Sequence, residues 1–350
     1  MIADLITDYS VLQPDVQPDR EVIVHRDGEI DHLMSVLAPL THDVAPGGAF
    51  LYGPPGSGKT CTTHCVLEEL VDETDVEIVF IDCLSSHARR SVLKRVLEEL
   101  GAAAELEHRS VATDDLSALV REAIDGPTVL VLDECDQLDD FRVLHELYGI
   151  KDLTLVLISN APWKAFEPET QPLNSRVQSL QEIPFSRYTE TQLVSILEER
   201  SRAGVESGVV SDSDLEYIVS KVDERDARQT ISLLYHSVRN LSLGGRATLS
   251  KSVIDAAKPD STKDIIRSRL SSLSRQQRVA LECLADVGPG TSSELYECYR
   301  ERVDEPRTDR TVRGWLPKFE KYGLTTIDGP EYEPVYEVRE AVLKELSVPE

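Results

Sequence analysis

The sequence predicts an α/β domain built on a parallel sheet, followed by a small helical domain and a C-terminal domain of three helices and a β-hairpin. Short apolar runs alternate with helical patterns up to about residue 186, and the strand signal then disappears until about residue 257. Near the C-terminus, two short apolar segments follow three helical stretches. Apolar runs of strand length suit parallel strands covered on both faces, whereas apolar residues three and four apart suit one helix face.

Five apolar runs are predicted as the strands of the first domain. They are Ala49–Gly53, Glu77–Asp82, Thr128–Glu134, Thr154–Asn160 and Glu182–Phe185. Helical stripes lie between them, one around Ile30–Leu37 and another around Val92–Leu100. This alternation predicts a sheet with helices on both faces.

The remaining chain divides into two further predicted domains. Three helical stripes lie in 188–258, and a linker is predicted around Lys258-Pro259. Helices at 274–287, 291–303 and 308–322 then precede apolar segments at 324–327 and 335–338. This is the element order of a winged helix-turn-helix. The predicted domains are therefore 1–187, 188–258 and 262–350.

A glycine-rich loop follows the first predicted strand and precedes a helix. Its sequence is Gly53-Pro54-Pro55-Gly56-Ser57-Gly58-Lys59-Thr60. In such a P-loop, backbone N–H groups wrap phosphates, the lysine reaches the outer phosphates and the final hydroxyl ligates magnesium. The N-terminus of the following helix adds favourable partial positive charge. The loop therefore predicts a site for ATP and Mg²⁺.

Polar residues end the third and fourth predicted strands. Asp133 would hold the magnesium and Glu134 would activate the attacking water, whereas the alternative is an acidic turn of a very acidic chain. Asn160 closes the next strand, so its side chain would face the same carboxyl edge as the P-loop. Asp133 and Glu134 are therefore predicted catalytic residues, with Asp133 and Thr60 serving the metal, whereas Asn160 is also a common strand terminator.

Several segments, in chain order, carry a family resemblance. They are His25-Arg26-Asp27 before Glu29–Leu37, the P-loop, Asp133-Glu134-Cys135-Asp136, Leu157-Ile158-Ser159-Asn160, Asn174-Ser175-Arg176-Val177, Tyr188 with Gln192-Leu193, Ile196–Arg200, and Asp226-Ala227-Arg228. Together with the C-terminal winged helix, they make the chain resemble the archaeal replication initiators of the AAA+ class. That family is related to the eukaryotic origin-recognition and cell-division-control proteins.

The resemblance implies roles for individual residues. Asn160 would help to place the attacking water, and Arg176 would act in trans on a neighbour's ATP as an arginine finger. Arg228 would contact the γ-phosphate from the helical domain, which the resemblance makes a lid. The remaining residues expected at the nucleotide are His25, Arg26, Cys61, Tyr188 and Arg200. For each arginine, a surface ion pair is the alternative.

The composition indicates a salt-adapted protein. The chain has 37 basic and 63 acidic residues, a net charge of −26 that is spread over its length. This is typical of haloarchaeal cytosols, although an ordinary soluble acidic protein is the alternative. No apolar run reaches the roughly 18 residues of a membrane helix, and the first ten residues carry no basic charge. We therefore expect a cytoplasmic, nucleoid-associated protein with no membrane partner.

Local charge bears on DNA binding more directly than net charge does. Residues 261–350 carry 14 basic and 17 acidic residues, a net of −3, so the other 260 residues carry −23. The predicted contacts to double-stranded DNA are Arg307, Arg310, Arg313 and Lys318 on or beside the recognition helix, with Arg89 and Arg90 as a second group. The predicted hairpin instead carries the acids Asp328, Glu331, Glu333 and Glu337.

The resemblance therefore implies an ATP-dependent replication initiator that binds origin DNA and helps to recruit the replicative helicase. Slow, regulatory ATP hydrolysis and self-association on DNA are expected with it. One alternative is a DNA-binding regulatory paralogue without origin function, which the acidic hairpin favours. Another is an AAA+ remodeller of protein partners whose winged helix docks protein.

The net charge generates a first prediction. Because salt screens repulsion among surface carboxylates, the melting temperature should be higher in molar KCl than in dilute buffer. Thermal melts across a KCl series measure this. A melting temperature that stays flat or falls with KCl would contradict salt adaptation.

Overall fold

The computed structural model describes residues 5–42, 44–102, 112–166, 179–222, 225–245, 248–271, 273–330 and 334–346. The chain forms two compact units, Met1–Ala257 and Lys258–Glu350. The first contains a five-stranded parallel sheet in the order β2-β3-β4-β1-β5. Its strands are Gly48–Tyr52 (β1), Glu77–Asp82 (β2), Thr128–Asp133 (β3), Leu153–Ser159 (β4) and Gln181–Pro184 (β5). All five predicted strands are confirmed, and each end lies within one residue of its predicted position.

Helices cover both faces of this sheet. The helices before and between the strands are Tyr9–Leu12 (α1), Asp27–Leu37 (α2), Lys59–Glu73 (α3), Arg89–Glu99 (α4), Thr113–Ala123 (α5) and Arg142–Tyr148 (α6). One core packs apolar residues of α4, α5 and α6 against the sheet, and another packs α2 and α3 against its opposite face. Every residue of β3 and β4 is buried, which is why their sequences are apolar on both faces.

Three capped helices, called the lid below, follow the sheet among the described residues: Glu190–Gly204 (α7), Asp212–Ser220 (α8) and Ala227–Leu243 (α9). Thr189 and Ser211 begin α7 and α8 with capping boxes, which satisfy backbone N–H groups at the helix starts. Leu5, Ile6 and Leu12 belong to the same apolar core as these helices. By packing, the described N-terminal segment thus belongs to the lid, although the predicted first domain began at residue 1.

A helix stands where a linker was predicted. Lys251–Ser271 forms α10 with Pro259 inside it, and the division between the two units falls within its range. A proline removes one helical hydrogen bond, but the neighbouring residues can still keep helical geometry. Ile265, Ile266 and Leu270 are buried at helical spacing, which favours the helix over the loop that Pro259 suggested. The other domain boundaries stay predictions.

The second unit has the element order of a winged helix. Its elements are Arg275–Val287 (α11), Ser292–Arg302 (α12), Asp309–Lys321 (α13), Thr325–Asp328 (β6), Val335–Val338 (β7) and Glu340–Leu346 (α14). The strands β6 and β7 pair antiparallel, and Gly290 adds one bridge to Tyr336 of β7. Tyr299 of α12 packs edge-on against Trp315 of α13, with ring centroids 5.7 Å apart. In neither unit is any described helix long and apolar enough to cross a membrane.

Candidate nucleotide site

The glycine-rich loop connects β1 to α3 and is closely packed by the lid. Gly56 and Gly58 have φ angles of 69° and 91°, a left-handed backbone that glycine adopts without steric cost. A Cβ at Gly56 would lie 2.1 Å from Asp226 Oδ1, and a Cβ at Gly58 would lie 2.5 Å from the Tyr188 hydroxyl. Glycine is therefore required at both positions for backbone conformation and for space.

Lys59 links the loop to the end of β4. Its ammonium donates to the carbonyl oxygens of Gly53 at 2.8 Å and Pro54 at 3.0 Å, and to Asn160 Oδ1 at 3.1 Å. Only 7% of Lys59 is exposed, so these acceptors compensate for the lost hydration of a buried charge. The predicted phosphate-binding lysine and the predicted water-placing asparagine are thus in direct contact.

Thr60 links the same loop to the end of β3. Its hydroxyl donates to Asp133 Oδ2 at 2.8 Å, while the backbone N–H of Glu134 donates to Asp133 Oδ1 at 2.8 Å. Burial raises the pKa of Asp133 to about 6, and the two hydrogen bonds oppose that rise. The carboxyl is therefore mostly ionised at neutral pH. A hydroxyl and a carboxylate in contact are the oxygen ligands that Mg²⁺ prefers.

Glu134 and Asn160 lie beside this pair at the same edge of the sheet. Glu134 has a φ of 52°, an uncommon left-handed conformation for a non-glycine residue. The backbone N–H of Asn160 donates to Asp136 Oδ1 at 3.2 Å, which fixes the start of the turn after β4. Sequence reasoning did not assign this role to Asp136. Both predicted catalytic residues are therefore held next to Lys59 and Asp133.

Unpaired buried polar atoms show that the loop fits a phosphate ligand. Among the described residues, the Ser57 hydroxyl of the loop and Nδ2 of Asn160, whose Oδ1 contacts Lys59, are buried with no hydrogen-bond partner. A buried donor left unpaired costs roughly 1–3 kcal/mol, so such donors are expected where a ligand supplies acceptors. The residues present fit ATP with Mg²⁺: Ser57, Lys59 and Asn160 would hold phosphate oxygens, and Thr60 and Asp133 would hold the metal.

Arg26 acts as a buried connector between α2 and the lid. Its guanidinium donates to the Tyr188 hydroxyl at 3.0 Å, to Glu29 Oε1 at 2.6 Å and to the Ser186 carbonyl at 2.7 Å. It also stacks on the Tyr188 ring, 4.0 Å from the centroid. Because the guanidinium is occupied by these partners, Arg26 positions Tyr188, which in turn contacts Gly58. The neighbouring His25 is exposed.

Arg200 and Cys61 meet on the side of the site formed by the N-terminal segment. Arg200 is 7% exposed and donates to the Val11 carbonyl, and burial lowers its pKa while the thiol of Cys61 and the hydroxyl of Tyr188 raise it. The Cys61 carbonyl accepts a hydrogen bond from Gln17 Nε2 at 2.9 Å. Val11 and Gln17 carry no motif, which is why sequence reasoning missed this segment.

Arg228 lies near the loop because α9 begins there. The backbone N–H of Ala227 donates to the Gly56 carbonyl at 3.3 Å, and Asp226 caps the helix against the loop. The Arg228 side chain pairs with Asp15. Asp226 is a second contact that the motif match did not assign. The predicted arginine finger, Arg176, lies outside the described residues.

The predicted DNA contacts on or beside α13 differ in exposure. Arg307, Arg310 and Arg313 are exposed, and Arg313 pairs with Asp309 one turn earlier. Lys318 is only 8% exposed, and its ammonium faces Gln277 Oε1 at 3.4 Å. Lys318 therefore lies on the side of α13 that faces the core, and its contact with DNA stays a prediction.

In the second group of predicted DNA contacts, Arg89 is mostly buried and Arg90 is exposed. Arg89 forms ion pairs with Glu146 and Asp114, which leave 14% of its side chain exposed. These two carboxylates hold the guanidinium between α5 and α6, and the contact of Arg89 with DNA stays a prediction. Arg90 is exposed, and its guanidinium lies 3.5 Å from the Thr113 hydroxyl.

Comparison with known proteins is consistent with this geometry. Residues 22–157 match the family model described as "AAA ATPase domain". The chain is 36% identical to ORC1-type DNA replication protein 1 of Halobacterium salinarum, over 88% of this chain and 100% of that protein. It is 31% identical to ORC1-type DNA replication protein 9 of the same organism, over 95% and 93%.

The chain belongs to the family of ORC1-type DNA replication proteins. Among solved structures, the Aeropyrum pernix ORC1 protein in complex with DNA matches this ORC1-type chain with a TM-score of 0.76 at 22% identity, covering 98% of this chain and 97% of the other. The Cdc6p protein of Pyrobaculum aerophilum matches with a TM-score of 0.63 at 21% identity, covering 98% of each chain. These structures establish the fold, and the family and its haloarchaeal relatives confirm the predicted resemblance.

The site generates a prediction about two residues with different tasks. Lys59→Ala should abolish ATP binding, because it removes the charge that contacts phosphate. Glu134→Gln should bind ATP and fail to hydrolyse it, because the amide cannot accept a proton from water. Fluorescent-nucleotide titration and phosphate release measure the two steps, and Glu122→Gln is a control on an exposed residue of α5. Wild-type hydrolysis by Glu134→Gln would contradict the assignment.

Proposed function

We propose that this ORC1-type protein is an ATP-dependent replication initiator that binds double-stranded origin DNA and helps to recruit the replicative helicase. The observation that carries the proposal is a complete phosphate and metal cradle in one unit and an arginine-bearing helix in the other. The cradle consists of Lys59, Thr60, Asp133 and Asn160, and the exposed helix is α13. Membership of the ORC1-type family supports joining the two in one activity.

The protein's own residues divide the ATPase reaction among them. Lys59 binds the outer phosphates, and Glu134 takes a proton from the attacking water that Asn160 orients. Bound Mg²⁺ would neutralise developing phosphate charge. Thr60 and Asp133 hold their oxygens in place for that metal, while Arg228 exchanges Asp15 for the γ-phosphate. Turnover is slow because ATP serves as a conformational signal between the loop and the lid.

The proposed DNA interface is the exposed side of α13. Arg310 and Arg313 lie one turn apart on this helix, so both can face a major groove together. The Aeropyrum pernix ORC1 protein, whose solved structure is a complex with DNA, shares this fold and supports the assignment. On DNA, neighbouring copies associate so that Arg176 of one approaches the ATP of the next.

A DNA-binding regulatory role without origin function is the second candidate. The hairpin strands expose the acids Asp328 and Glu337, which repel the DNA backbone that a basic hairpin would grip. This observation favours weaker or more selective DNA binding than a basic hairpin would give. Chromosomal occupancy in native cells distinguishes the two roles, because an initiator concentrates at origins and a regulator at promoters.

The DNA prediction concerns the two exposed arginines and the hairpin. Arg310→Ala or Arg313→Ala should weaken cognate binding by about 1–3 kcal/mol if the arginine contacts a base edge, without changing ATP affinity. Glu337→Lys should strengthen binding and steepen its salt dependence. Fluorescence anisotropy on origin and scrambled duplexes at several KCl concentrations measures both effects.

Arg267→Ala is the matched control, because Arg267 is exposed on α10 and pairs with Glu345. It should bind both duplexes as wild type does. If Arg310→Ala and Arg313→Ala also bind both duplexes as wild type does, α13 is not the DNA reader. The protein-docking role of this domain would then take its place.

A further inference from the structure

The carboxylate of Asp226 lies directly against the phosphate-binding loop. It caps α9, with Oδ1 accepting the backbone N–H groups of Arg228 at 2.9 Å and Gln229 at 3.3 Å. The same oxygen would lie 2.1 Å from a Cβ at Gly56. Asp226 is 5% exposed, so water screens its charge weakly.

This position matters because the start of a long helix normally attracts phosphate. The N-terminus of α9 lies against the loop and carries partial positive charge. Asp226 occupies two of the helix's N–H groups with a carboxylate, and the N–H of Ala227 is bonded to the Gly56 carbonyl at 3.3 Å. The first charge that the lid presents to the loop is therefore negative.

The positive charge on the same helix is held by another partner. Arg228 follows Asp226 by two residues, and its guanidinium pairs with Asp15 of the N-terminal segment. To bind phosphate, Arg228 must first give up its ion pair with Asp15. The Asp226 carboxylate repels phosphate without any such rearrangement. The two charges oppose one another at a single contact between lid and loop.

We propose that Asp226 is a charge brake on the nucleotide site: its carboxylate opposes bound phosphate, lowers the affinity for nucleotide and penalises ATP more than ADP. This inference rests on the proposed ATP binding at the same loop. The brake makes the contact between α9 and Gly56 sensitive to the number of phosphates, because a more negative ligand weakens that contact more. Asp226 thereby tunes the choice between ATP and ADP.

Asp226→Asn tests the brake, because asparagine caps a helix about as well as aspartate does and removes the charge, together with the hydrogen bond that Oδ2 accepts from Gln229 Nε2. Calorimetric titration with ATP and ADP, each with Mg²⁺, should show ATP binding about fivefold tighter than in wild type and a smaller gain for ADP. The increase in ATP affinity of Asp226→Asn over wild type should be smaller in molar KCl. Asp212→Asn is the control, since it makes the same change of net charge at an exposed position of the lid.

Equal or weaker ATP affinity in Asp226→Asn, with an unchanged melting temperature without nucleotide, would overturn the proposal. If that variant melts lower, Asp226→Ser supplies a second neutral cap, and its affinity decides in the same way. Wild-type protein that binds no ATP would overturn the proposed function together with the brake. Wild-type binding with no gain in either variant would overturn the brake alone.

Discussion

The structure depends on keeping two opposite charges buried at one edge of the parallel sheet. Lys59 is 7% exposed and Asp133 is 9% exposed, and an unpaired charge at such burial would be strongly destabilising. Lys59 donates to Asn160 at the end of β4, and Asp133 at the end of β3 accepts from Thr60 at the start of α3. The phosphate-binding loop is therefore fixed to β3 and β4 by polar contacts that serve the chemistry as well.

The lid is attached to this edge by contacts of the same kind. Tyr188 and Asp226, at the starts of α7 and α9, both reach the loop where glycine leaves no side chain in the way. Arg26 holds Tyr188 from the sheet side, and Arg200 holds the N-terminal segment from the lid side. A change in the conformation of the loop would therefore displace the starts of both α7 and α9, because Tyr188 and Asp226 pack directly against it.

Elements with strong local signals could be predicted from the sequence. The strands were predictable because β3 and β4 are almost wholly apolar. The contact between Thr60 and Asp133 was predictable because the loop motif and the end of β3 lie at the same edge of a parallel sheet. The helix over Pro259 was not predictable, since proline usually signals a break. The burial of Lys318 and Arg89 was not predictable, because charge alone does not reveal which helix face is buried.

Long-range contacts could be predicted only where motif residues end neighbouring strands, as Thr60 and Asp133 do. Asp226 meets Gly56, and Gln17 meets Cys61, only because the chain folds back on itself. No periodicity or motif marks Gln17. Asp226 belongs to a motif and to a helix cap, but neither indicates its contact with Gly56. The regulation that we infer at Asp226 is therefore visible only in the folded chain.

The most direct test of the proposed metal site is the dependence of ATP binding on Mg²⁺ in wild type and in Asp133→Asn. If Thr60 and Asp133 form the metal side of the site, Mg²⁺ should tighten ATP binding in wild type. In Asp133→Asn, binding should be similar with Mg²⁺ and with a chelator, because Lys59 still contacts phosphate while the metal loses its carboxylate. An equal gain from Mg²⁺ in both proteins would contradict the account.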